Sequence, residues 1–475
     1  MLQLHGKEFR LKKAWKVCIL LTMKKVGIIT LGCAKNTVDA EVMAGFLREA
    51  NYELTSEANA DIIIVNTCGF INPAKEESID TILEVAQWKE AGQCRYLIVT
   101  GCLVQRYPKD LARELPEVDV FLGLDDIPHI ARVCDELTGK HSSEERTHRL
   151  SLNLISQGAY QSTYLYNHTT PRVNLGPPHT AYVKIAEGCD YTCTFCAIPS
   201  MRGRFRSRTI SSVVEEVKRL ADQGVKEINL IAQDTTAYGK DQGKEVTLSR
   251  LLEELVRVDG IEWIRFLYAY PTTLRKPLME TIAREPKICK YIDLPLQHID
   301  DALLKAMNRP SSSKKIKELI QTIRETIPGV SLRTTFIVGF PGETEEAFER
   351  LVEFVQETQF DRVGVFKYSK EEGTVAATLK NEVPAKVKDK RYRRLMKIQA
   401  AISREKNKAL IGTKQRVLVD GVSPETPLLL VGRMQNQAPE IDGVVYLNEG
   451  QTEQGRLEDV EITNAYTYDL AGRIL

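Results

Sequence analysis

A group of three closely spaced cysteines constrains this 475-residue chain more than any other feature. Cys189, Cys193 and Cys196 form the pattern Cys-x-x-x-Cys-x-x-Cys in a loop that follows an apolar, strand-like segment, 182–186. Three thiolates at this spacing can bind three irons of a 4Fe-4S cube and leave the fourth iron without a protein ligand. Such an iron is available for chemistry, as the open position of a catalytic zinc site is. The loop therefore predicts an iron–sulfur centre with a catalytic role.

The composition excludes several classes of protein. The 65 Lys and Arg residues nearly balance the 64 Asp and Glu residues, so no overall field favours nucleic acid. Ten cysteines are too few for a disulfide scaffold, and their motif spacing indicates metal ligation in a reducing compartment. The apolar run 17–23 is too short to span a membrane. We therefore expect a cytoplasmic protein without a membrane partner, in which residues 1–22 form a disordered N-terminal extension.

Three apolar segments in the N-terminal part of the chain each end at a cysteine. All three are rich in β-branched residues, as strands buried on both faces of a parallel sheet are. The segments are 25–31, 61–67 and 96–100, and the cysteines that follow them are Cys33, Cys68 and Cys102. Helical patterns lie between the segments, which predicts a doubly wound α/β domain over residues 23–140.

Because the ends of parallel strands converge on one edge of such a sheet, we expect Cys33, Cys68 and Cys102 to meet there. The sharper hypothesis is that they bind an auxiliary 4Fe-4S cluster through three protein ligands. Buried structural cysteines are one alternative, since cysteine is common in protein cores. Zinc is the other, although a structural zinc site needs a fourth ligand that the sequence does not show.

The middle of the chain alternates strand-like and helix-like segments. Residues 141–175 are polar and lack periodicity, which predicts a linker. The alternation then runs over residues 176–407 and predicts an open, partial (β/α)6 barrel with its site at the carboxyl ends of the strands. The predicted strands are 182–186, 227–232, 263–268, 291–296, 332–338 and 362–366. The three-cysteine loop follows the first of them and therefore lies at the mouth of the barrel.

Six residues near these strand ends are candidates for binding a cofactor. Phe195 can place its ring against an adenine, and a Gly-Phe-Pro-Gly turn lets backbone approach a ligand closely, although such a sequence is usually only a turn. The full set is Phe195, Gln233, Asp234, Gln297, Gly339 and Gly342. His298 is a weaker candidate, because a lone histidine is more often a core or surface group.

Residues 408–475 contain short strand-like segments separated by turns, which predicts a small all-β barrel. Residues 410–475 have ten acidic residues against five basic ones. A barrel that binds RNA should be basic, because neutralisation of phosphates drives its affinity. We therefore expect direct RNA binding not to dominate, and a basic protein to be the better partner. The plainer alternative is an acidic, solvated face without a partner.

Taken together, these segments resemble the methylthiotransferase family of radical S-adenosylmethionine (SAM) enzymes. Its members have an N-terminal domain with three cluster cysteines, a radical SAM domain and a C-terminal TRAM barrel. The match extends over nearly the whole chain from Met23 and is nearest to the RimO type, which modifies an aspartate of a ribosomal protein. The segments that carry it are Leu31–Asp39, Asn66–Ile71, Gly101–Leu103, Leu294–His298, Met307–Pro310, Ala438–Gly443 and Tyr468–Leu470.

Two sequence variants separate this chain from the sister enzymes that modify tRNA. The tRNA enzymes typically have Gly-Cys-Gln-Met-Asn at the first cysteine, where this chain has Lys35 and Asn36 after Cys33 and Ala34. They also have a charged stretch after the second cysteine, where this chain has Gly69-Phe70-Ile71. Ala34 departs from the proline often seen in the RimO type, but it is not a ligand.

The resemblance implies two 4Fe-4S clusters, SAM as cofactor and a defined reaction. The cluster of Cys33, Cys68 and Cys102 would hold a sulfur that one SAM methylates. A second SAM, at the cluster of Cys189, Cys193 and Cys196, would yield the radical that takes hydrogen from an aspartate Cβ. The substrate would be small-subunit ribosomal protein twelve, a very basic protein, and the electron donor would be flavodoxin-like.

Two other functions are weighed against this one. The first is a tRNA methylthiotransferase that acts on an isopentenylated adenosine, which shares the fold and the cysteines. The second is a non-catalytic, metal-stabilised RNA-binding or assembly factor, which would contain zinc or no metal. Iron content separates the second from the enzymes, and the substrate that gains mass separates the two enzymes.

Overall fold

The computed structural model describes residues 24–139 and 162–475. The predicted N-terminal extension and the first part of the predicted linker lie outside the described residues. Residues 162–175 contain no helix or strand, but hydrogen bonds join them to the N-terminal domain, from Ser162 and Thr163 to Asp125 and from the Val173 N–H to the carbonyl of Glu41. Arg172 joins two domains there, because its guanidinium pairs with Glu41 and Glu216 at 2.5 Å each.

The N-terminal domain is a five-stranded parallel sheet with helices on both faces. Its strands are β1 (Lys25–Thr30), β2 (Glu53–Leu54), β3 (Ile62–Thr67), β4 (Tyr96–Gly101) and β5 (Val120–Leu122). Its helices are α1 (Ala34–Glu49), α2 (Asn72–Glu90), α3 (Cys102–Arg106), α4 (Pro108–Glu114) and α5 (Ile130–Thr138). The strand order is β2-β1-β3-β4-β5, and all pairs are parallel. The predicted doubly wound fold is confirmed, and the two short strands at the sheet edges are additions to it.

The middle domain is an open barrel of six parallel strands, as predicted. They are β6 (Thr180–Lys184), β9 (Glu227–Ile231), β10 (Trp263–Phe266), β11 (Tyr291–Asp293), β12 (Ser331–Val338) and β13 (Arg362–Lys367). Two further short strands, β7 (Ala186–Glu187) and β8 (Arg206–Ser207), form an antiparallel pair outside the barrel sheets. Its helices are α6 (Ile198–Arg202), α7 (Ile210–Asp222), α8 (Leu248–Leu255), α9 (Lys276–Arg284), α10 (Asp301–Ala306), α11 (Ser313–Thr326), α12 (Glu345–Thr358) and α13 (Ala385–Lys408). The strands form two three-stranded sheets, and one parallel bridge between Ile264 and Ile288 joins them.

The C-terminal domain is a closed barrel of five strands. They are β14 (Lys414–Val422), β15 (Leu430–Met434), β16 (Val445–Glu449), β17 (Leu457–Ala465) and β18 (Leu470–Ile474), in the order β14-β15-β16-β18-β17. The fifth strand, β18, is the hardest of them to recognise from the sequence. Its sequence, Leu-Ala-Gly-Arg-Ile, lacks the run of β-branched residues that marks a strand. The predicted all-β barrel is confirmed.

One apolar cluster joins all three domains. Val38 and Val42 of α1 pack into it from the N-terminal domain, Tyr182 and Trp263 from the middle domain, and Leu418 from the C-terminal barrel. Helix α1 therefore covers the open side of the six-stranded barrel. Because Cys33 lies at the amino end of α1, this packing brings the N-terminal cysteines to the middle domain.

A buried ionic network fixes the C-terminal barrel to the middle domain. Arg433 of β15 pairs with Glu227 of β9 at 2.8 Å and with Asp420 of β14 at 2.7 Å. Arg265 of β10 pairs with the same Glu227 at 2.9 Å. Asp442 also faces inward, where the Tyr291 hydroxyl donates to it at 2.7 Å. Two of the ten acidic residues of this region, Asp420 and Asp442, are thus bound in the domain interface, so the exposed acidic surface is smaller than the composition indicates.

The network predicts that stability depends on the charge of Glu227. Burial alone would raise the pKa of this carboxyl, but Arg433 and Arg265 outweigh burial and bring it from 4.5 down to about 2. A lowered pKa stabilises the fold above pH 4.5 and loses that stabilisation as the pH falls toward 2. We expect Glu227→Gln to lower the free energy of unfolding by about 3 kcal/mol at neutral pH, because it leaves buried arginine charge uncompensated.

Urea unfolding followed from about pH 7 to about pH 3 measures this effect. The difference between wild type and Glu227→Gln should be constant above pH 4.5 and should shrink below it. Glu245→Gln, at an exposed glutamate of the same domain, is the matched control and should change stability by less than about 0.5 kcal/mol. A difference that persists unchanged at low pH would contradict the assignment.

Candidate functional site

The N-terminal cysteines lie at one edge of the sheet because β1, β3 and β4 are neighbours. Cys33 precedes α1, Cys68 follows β3, and Cys102 is the first residue of α3 directly after β4. Gly32 allows the close approach of the first two. Its φ is +92°, and a Cβ there would lie 2.7 Å from the Cβ of Cys68. A side chain at position 32 would therefore push the two cysteine loops apart.

The second triad lies in the loop between β7 and α6, at the mouth of the six-stranded barrel. The backbone of Cys189 donates to the carbonyl of Gly203 at 3.0 Å, and Thr194 donates to the carbonyl of Met307 at 3.1 Å. The Asn308 side chain donates to the carbonyl of Thr192 at 3.0 Å. Segment 307–308 therefore fixes the shape of the cysteine loop, and it belongs to the Met-Asn-Arg-Pro motif of the sequence.

Both triads line a single cavity of about 350 Å³. The two domains contribute its walls together. The lining residues are Gly32, Cys33, Lys35, Asn36, Cys68, Phe70, Cys102, Cys189, Tyr191, Cys193, Phe195, Cys196, Ile198, Met201, Arg202, Gln233, Tyr268, Ala269, Tyr270, Pro295, Gln297, Arg309 and Thr335. A ligand at one triad would thus share one enclosed space with a ligand at the other.

The donor set fits iron–sulfur clusters. Burial raises the pKa of Cys68 and Cys196 to about 12 and that of Cys189 to about 11, so these thiols lose their protons only to a strongly bound cation. Within 24–139 and 162–475, no three His, Cys, Asp or Glu side chains converge on a single metal ion. A 4Fe-4S cube binds each thiolate through a different iron, so three cysteines around a cavity suit it.

A buried ionic cluster lies at the wall of the cavity, next to the N-terminal triad. Arg202 of α6 pairs with Asp39 of α1 at 2.7 Å and with Glu187 at 3.1 Å. Lys184 pairs with the same two carboxylates. All four side chains are at most 5% exposed. Two cations and two carboxylates balance, so the cluster joins the domains without adding net charge beside the cysteines.

Arg202 also contacts the N-terminal triad directly. Its second terminal nitrogen lies 3.3 Å from Cys102 Sγ and donates to Asn36 Oδ1 at 2.6 Å. The sequence does not mark Arg202 as a site residue, because nothing in its spacing after Cys196 distinguishes it from a surface arginine. Only the docking of the two domains brings it to Cys102, where its charge favours a thiolate.

Three of the six predicted cofactor residues line the cavity: Phe195, Gln233 and Gln297. The Gln233 amide donates to Glu187, and its Oε1 has no hydrogen-bond partner among the described residues. Gln297 has a φ of +73°, a region that residues other than glycine rarely adopt. Phe195 also packs on an apolar cluster that includes Met307 and Phe340.

The other three predicted cofactor residues lie outside the cavity lining. Asp234 accepts hydrogen bonds from Thr236, at 2.6 Å, and from Thr273, and it caps a short helical turn. Gly339 donates its backbone N–H to Glu343, and Gly342 has open space around its Cα.

His298, the weaker candidate, is fully buried. It lies 3.1 Å from Glu343, which also pairs with Arg391 at 2.7 Å. The structure therefore places Asp234, Gly339 and His298 in hydrogen-bond networks that support the barrel.

Aromatic rings that sequence reasoning overlooked form part of the cavity wall. Tyr191, within the cysteine loop, stacks on Tyr270 with ring centroids 3.8 Å apart. Arg309 lies 4.1 Å above the Tyr270 ring and 3.9 Å from Cys193 Sγ. Tyr268 has a φ of +64° and lies beneath the ammonium of Lys35. Burial lowers the pKa of Lys35 to about 8, although the charges of Cys33 and Glu187 oppose that shift.

Three regions of the chain match models of known protein families. Residues 183–355 match the radical SAM superfamily, residues 25–123 match the uncharacterized protein family UPF0004, and residues 411–475 match the TRAM domain. The first covers most of the six-stranded barrel but ends before β13, the second covers the five-stranded sheet and the third covers the closed barrel. In the part of the chain that the structure describes, no helix is both long and apolar enough to cross a membrane.

The chain is similar over most of its length to curated proteins named ribosomal protein uS12 methylthiotransferase RimO. The one from Geobacter sulfurreducens is 51% identical over 453 residues, which are 95% of this chain and 99% of that protein. The one from Heliobacterium modesticaldum is 50% identical over 458 residues, 96% of each chain. Among solved structures, the radical SAM methyltransferase TsrM from Kitasatospora setae aligns with a TM-score of 0.53 at 14% identity, over 80% of this chain and 89% of that one. At this identity the likeness shows a shared fold and nothing about function.

Proposed function

Because the chain belongs to the ribosomal protein uS12 methylthiotransferase family, we propose that it is a radical SAM enzyme that attaches a methylthio group to the β-carbon of an aspartate in uS12. The single observation that carries this proposal is the shared cavity. Cys33, Cys68 and Cys102 line it from one domain, and Cys189, Cys193 and Cys196 line it from the other. A sulfur transfer that starts with a hydrogen abstraction needs its two centres to face the same substrate atom.

Each triad is proposed to bind one 4Fe-4S cluster, which gives two per chain, with SAM at the triad of the middle domain. When bound, these groups supply the radical that takes the hydrogen and the methylated sulfur that replaces it. The chain's own residues bind and enclose them. Phe195, Gln233 and Gln297 line the cavity around the second triad, and Gln233 Oε1 offers a free acceptor there.

The Arg202 cluster is proposed to hold the two centres at a fixed separation. Asp39 belongs to the N-terminal domain, whereas Arg202, Lys184 and Glu187 belong to the middle domain. These side chains are buried, so the part of the cavity wall that they form is dry, and a dry wall protects a reactive species from side reactions. The wall also prevents the domains from separating without the cost of an uncompensated charge.

The ribosomal protein is favoured over tRNA as the substrate. The full-length relatives at about 50% identity are named for uS12, and this chain carries Ala34-Lys35-Asn36 where the tRNA enzymes typically have Gln-Met-Asn. The exposed acids of the C-terminal barrel, among them Glu425, Glu449 and Glu453, would repel RNA and attract a basic protein. Its action on a ribosomal protein would place the enzyme in the cytoplasm, with a flavodoxin-like protein as the electron donor.

The test is an anaerobic incubation of the reconstituted enzyme with SAM, a reductant and either purified uS12 or tRNA. We expect about eight irons per chain, and a mass gain of one methylthio group on an aspartate of uS12. A mass gain on tRNA alone would overturn the proposed substrate. A colourless protein that binds zinc would overturn the enzyme assignment altogether.

A further inference from the structure

Lys35 is a buried cation whose ammonium makes no ion pair and no hydrogen bond with the described residues. It is the second residue of α1, it is 7% exposed, and its side chain lines the cavity that both triads share. Among residues 24–139 and 162–475, no carboxylate lies within ion-pair distance of its ammonium. Its closest partner is the face of the Tyr268 ring, whose centroid lies 3.0 Å from Nζ. A buried ammonium without an anion is costly, so such a residue is retained where an anion binds.

The other two cations of the cavity are engaged. Arg202 pairs with Asp39 and Glu187 and donates to Asn36. Arg309 donates to the carbonyl of Pro295 and stacks on Tyr270 beside Cys193. Arg309, like Lys35, has no carboxylate partner, but Lys35 is the one of the three cations that has no hydrogen-bond acceptor among the described residues, so its ammonium can bind an incoming anion.

The protein holds Lys35 in a prepared position. Tyr268 follows β10 and adopts a φ of +64°, a conformation that costs energy for a residue with a side chain. Its backbone N–H donates to Asp293 Oδ2 at 3.0 Å, and Asp293 in turn pairs with Arg333 at 2.7 Å. The two carboxylate oxygens of Asp293 therefore interact with Tyr268 and Arg333, and not with Lys35. The strained backbone turns the Tyr268 ring under the lysine, and the position of the ammonium is set before any ligand enters.

The location of Lys35 indicates which anion it meets. It lies two residues after Cys33 on the N-terminal side of the cavity, whereas Arg309 lies beside Cys193 on the other side. Under the proposed function, the substrate presents a carboxylate directly bonded to the carbon that reacts. That carbon must lie between the two triads, so its carboxylate reaches the wall from which Lys35 projects.

We propose that Lys35 binds the side-chain carboxylate of the substrate aspartate and determines the enzyme's preference for aspartate over its neutral isostere. This inference rests on the proposed function and extends it to a specificity-determining residue. The ion pair and the hydrogen bonds of the ammonium fix the carboxylate, and the reacting β-carbon is fixed with it. An asparagine bound in the same place would leave the Lys35 ammonium buried and without an anion. The site should therefore strongly disfavour a substrate with asparagine at this position.

The test is a cycle of two enzymes and two substrates with the fully reconstituted protein under anaerobic conditions. Wild type and Lys35→Met are titrated with uS12 and with uS12 in which the target aspartate is replaced by asparagine, and binding is followed by fluorescence anisotropy. We expect wild type to bind the aspartate form about 30-fold more tightly than the asparagine form, and Lys35→Met to bind the two forms alike. Lys35→Arg, which keeps the charge, should restore part of the preference.

Two controls separate this role from others. Lys109→Met, at an exposed lysine of the same domain, should bind both substrates as wild type does. Iron content and the visible spectrum of Lys35→Met should match those of wild type, because the residue is assigned to the substrate and not to a cluster. A lower iron content in Lys35→Met would overturn the inference and make Lys35 a support of the metal centre.

The outcomes distinguish a failed inference from a failed function. If wild type methylthiolates uS12 while Lys35→Met still prefers aspartate as strongly as wild type does, the role of Lys35 is wrong and the function stands. If wild type neither binds nor modifies uS12, the proposed function is wrong, and the inference falls with it.

Discussion

Replacing Cys193 by alanine is expected to abolish turnover and to remove one of two metal centres. Two thiols cannot hold the cube that three hold, so iron content should fall by about half, from about eight to about four per chain. The yields of methylthiolated uS12 and of cleaved SAM should both fall by more than about 100-fold. Removing a residue that only hydrogen-bonds to a metal ligand already lowers activity by up to that factor, and removing the ligand itself should cost more. Iron analysis and mass spectrometry of the products measure the two effects.

Cys289→Ala is the matched control for this variant. Cys289 is a buried cysteine of the same domain, 1% exposed, and lies outside both triads. Its removal should cost about 1 kcal/mol of stability and leave iron content and turnover intact. If Cys193→Ala keeps its full iron content, the middle triad is not a cluster site and the assignment of the radical centre is wrong.

Replacing Cys68 by alanine should separate the two halves of the reaction. The N-terminal centre loses a ligand, so iron content again falls by about half, but the middle triad is unchanged. We therefore expect SAM still to be cleaved in the presence of a reductant, while methylthiolated uS12 falls below detection. The contrast with Cys193→Ala, which loses both products, assigns sulfur delivery to the N-terminal triad.

Cys94→Ala provides the control in the N-terminal domain. Cys94 is 4% exposed and packs in the core on the α2 side of the sheet, away from the cavity. This variant should keep both activities. Formation of methylthiolated uS12 by Cys68→Ala at the rate of wild type would show that the N-terminal cysteines are structural, the alternative that the sequence left open.

The strands that could be predicted from the sequence are those marked by a continuous run of apolar residues. A strand buried on both faces must be continuously apolar, so β3 and β4 were identified within one or two residues. The short edge strands β2 and β5 and the last strand β18 have no such run, and their partners in the sheet stabilise them instead.

The sequence predicted which cysteines line the candidate site, but it predicted fewer of the residues around them. Gln297 and Gln233 follow from the rule that barrel sites lie at strand ends. Asp234 and Gly339 satisfy the same rule but serve the scaffold, because position along a strand does not reveal which way a side chain or an N–H points.

From the sequence alone, the cysteine spacing predicted iron–sulfur chemistry, the apolar and turn patterns predicted the three domains, and the motifs indicated the family. Ligand spacing within a loop is a local property, and a strand that ends at a cysteine fixes which sheet edge that cysteine occupies. Only the packing of α1 against the open barrel decided that the two triads share one cavity, that Arg202 reaches Cys102, and that Lys35 is buried without an anion. Those three facts depend on contacts between residues far apart in the chain, which no local pattern encodes.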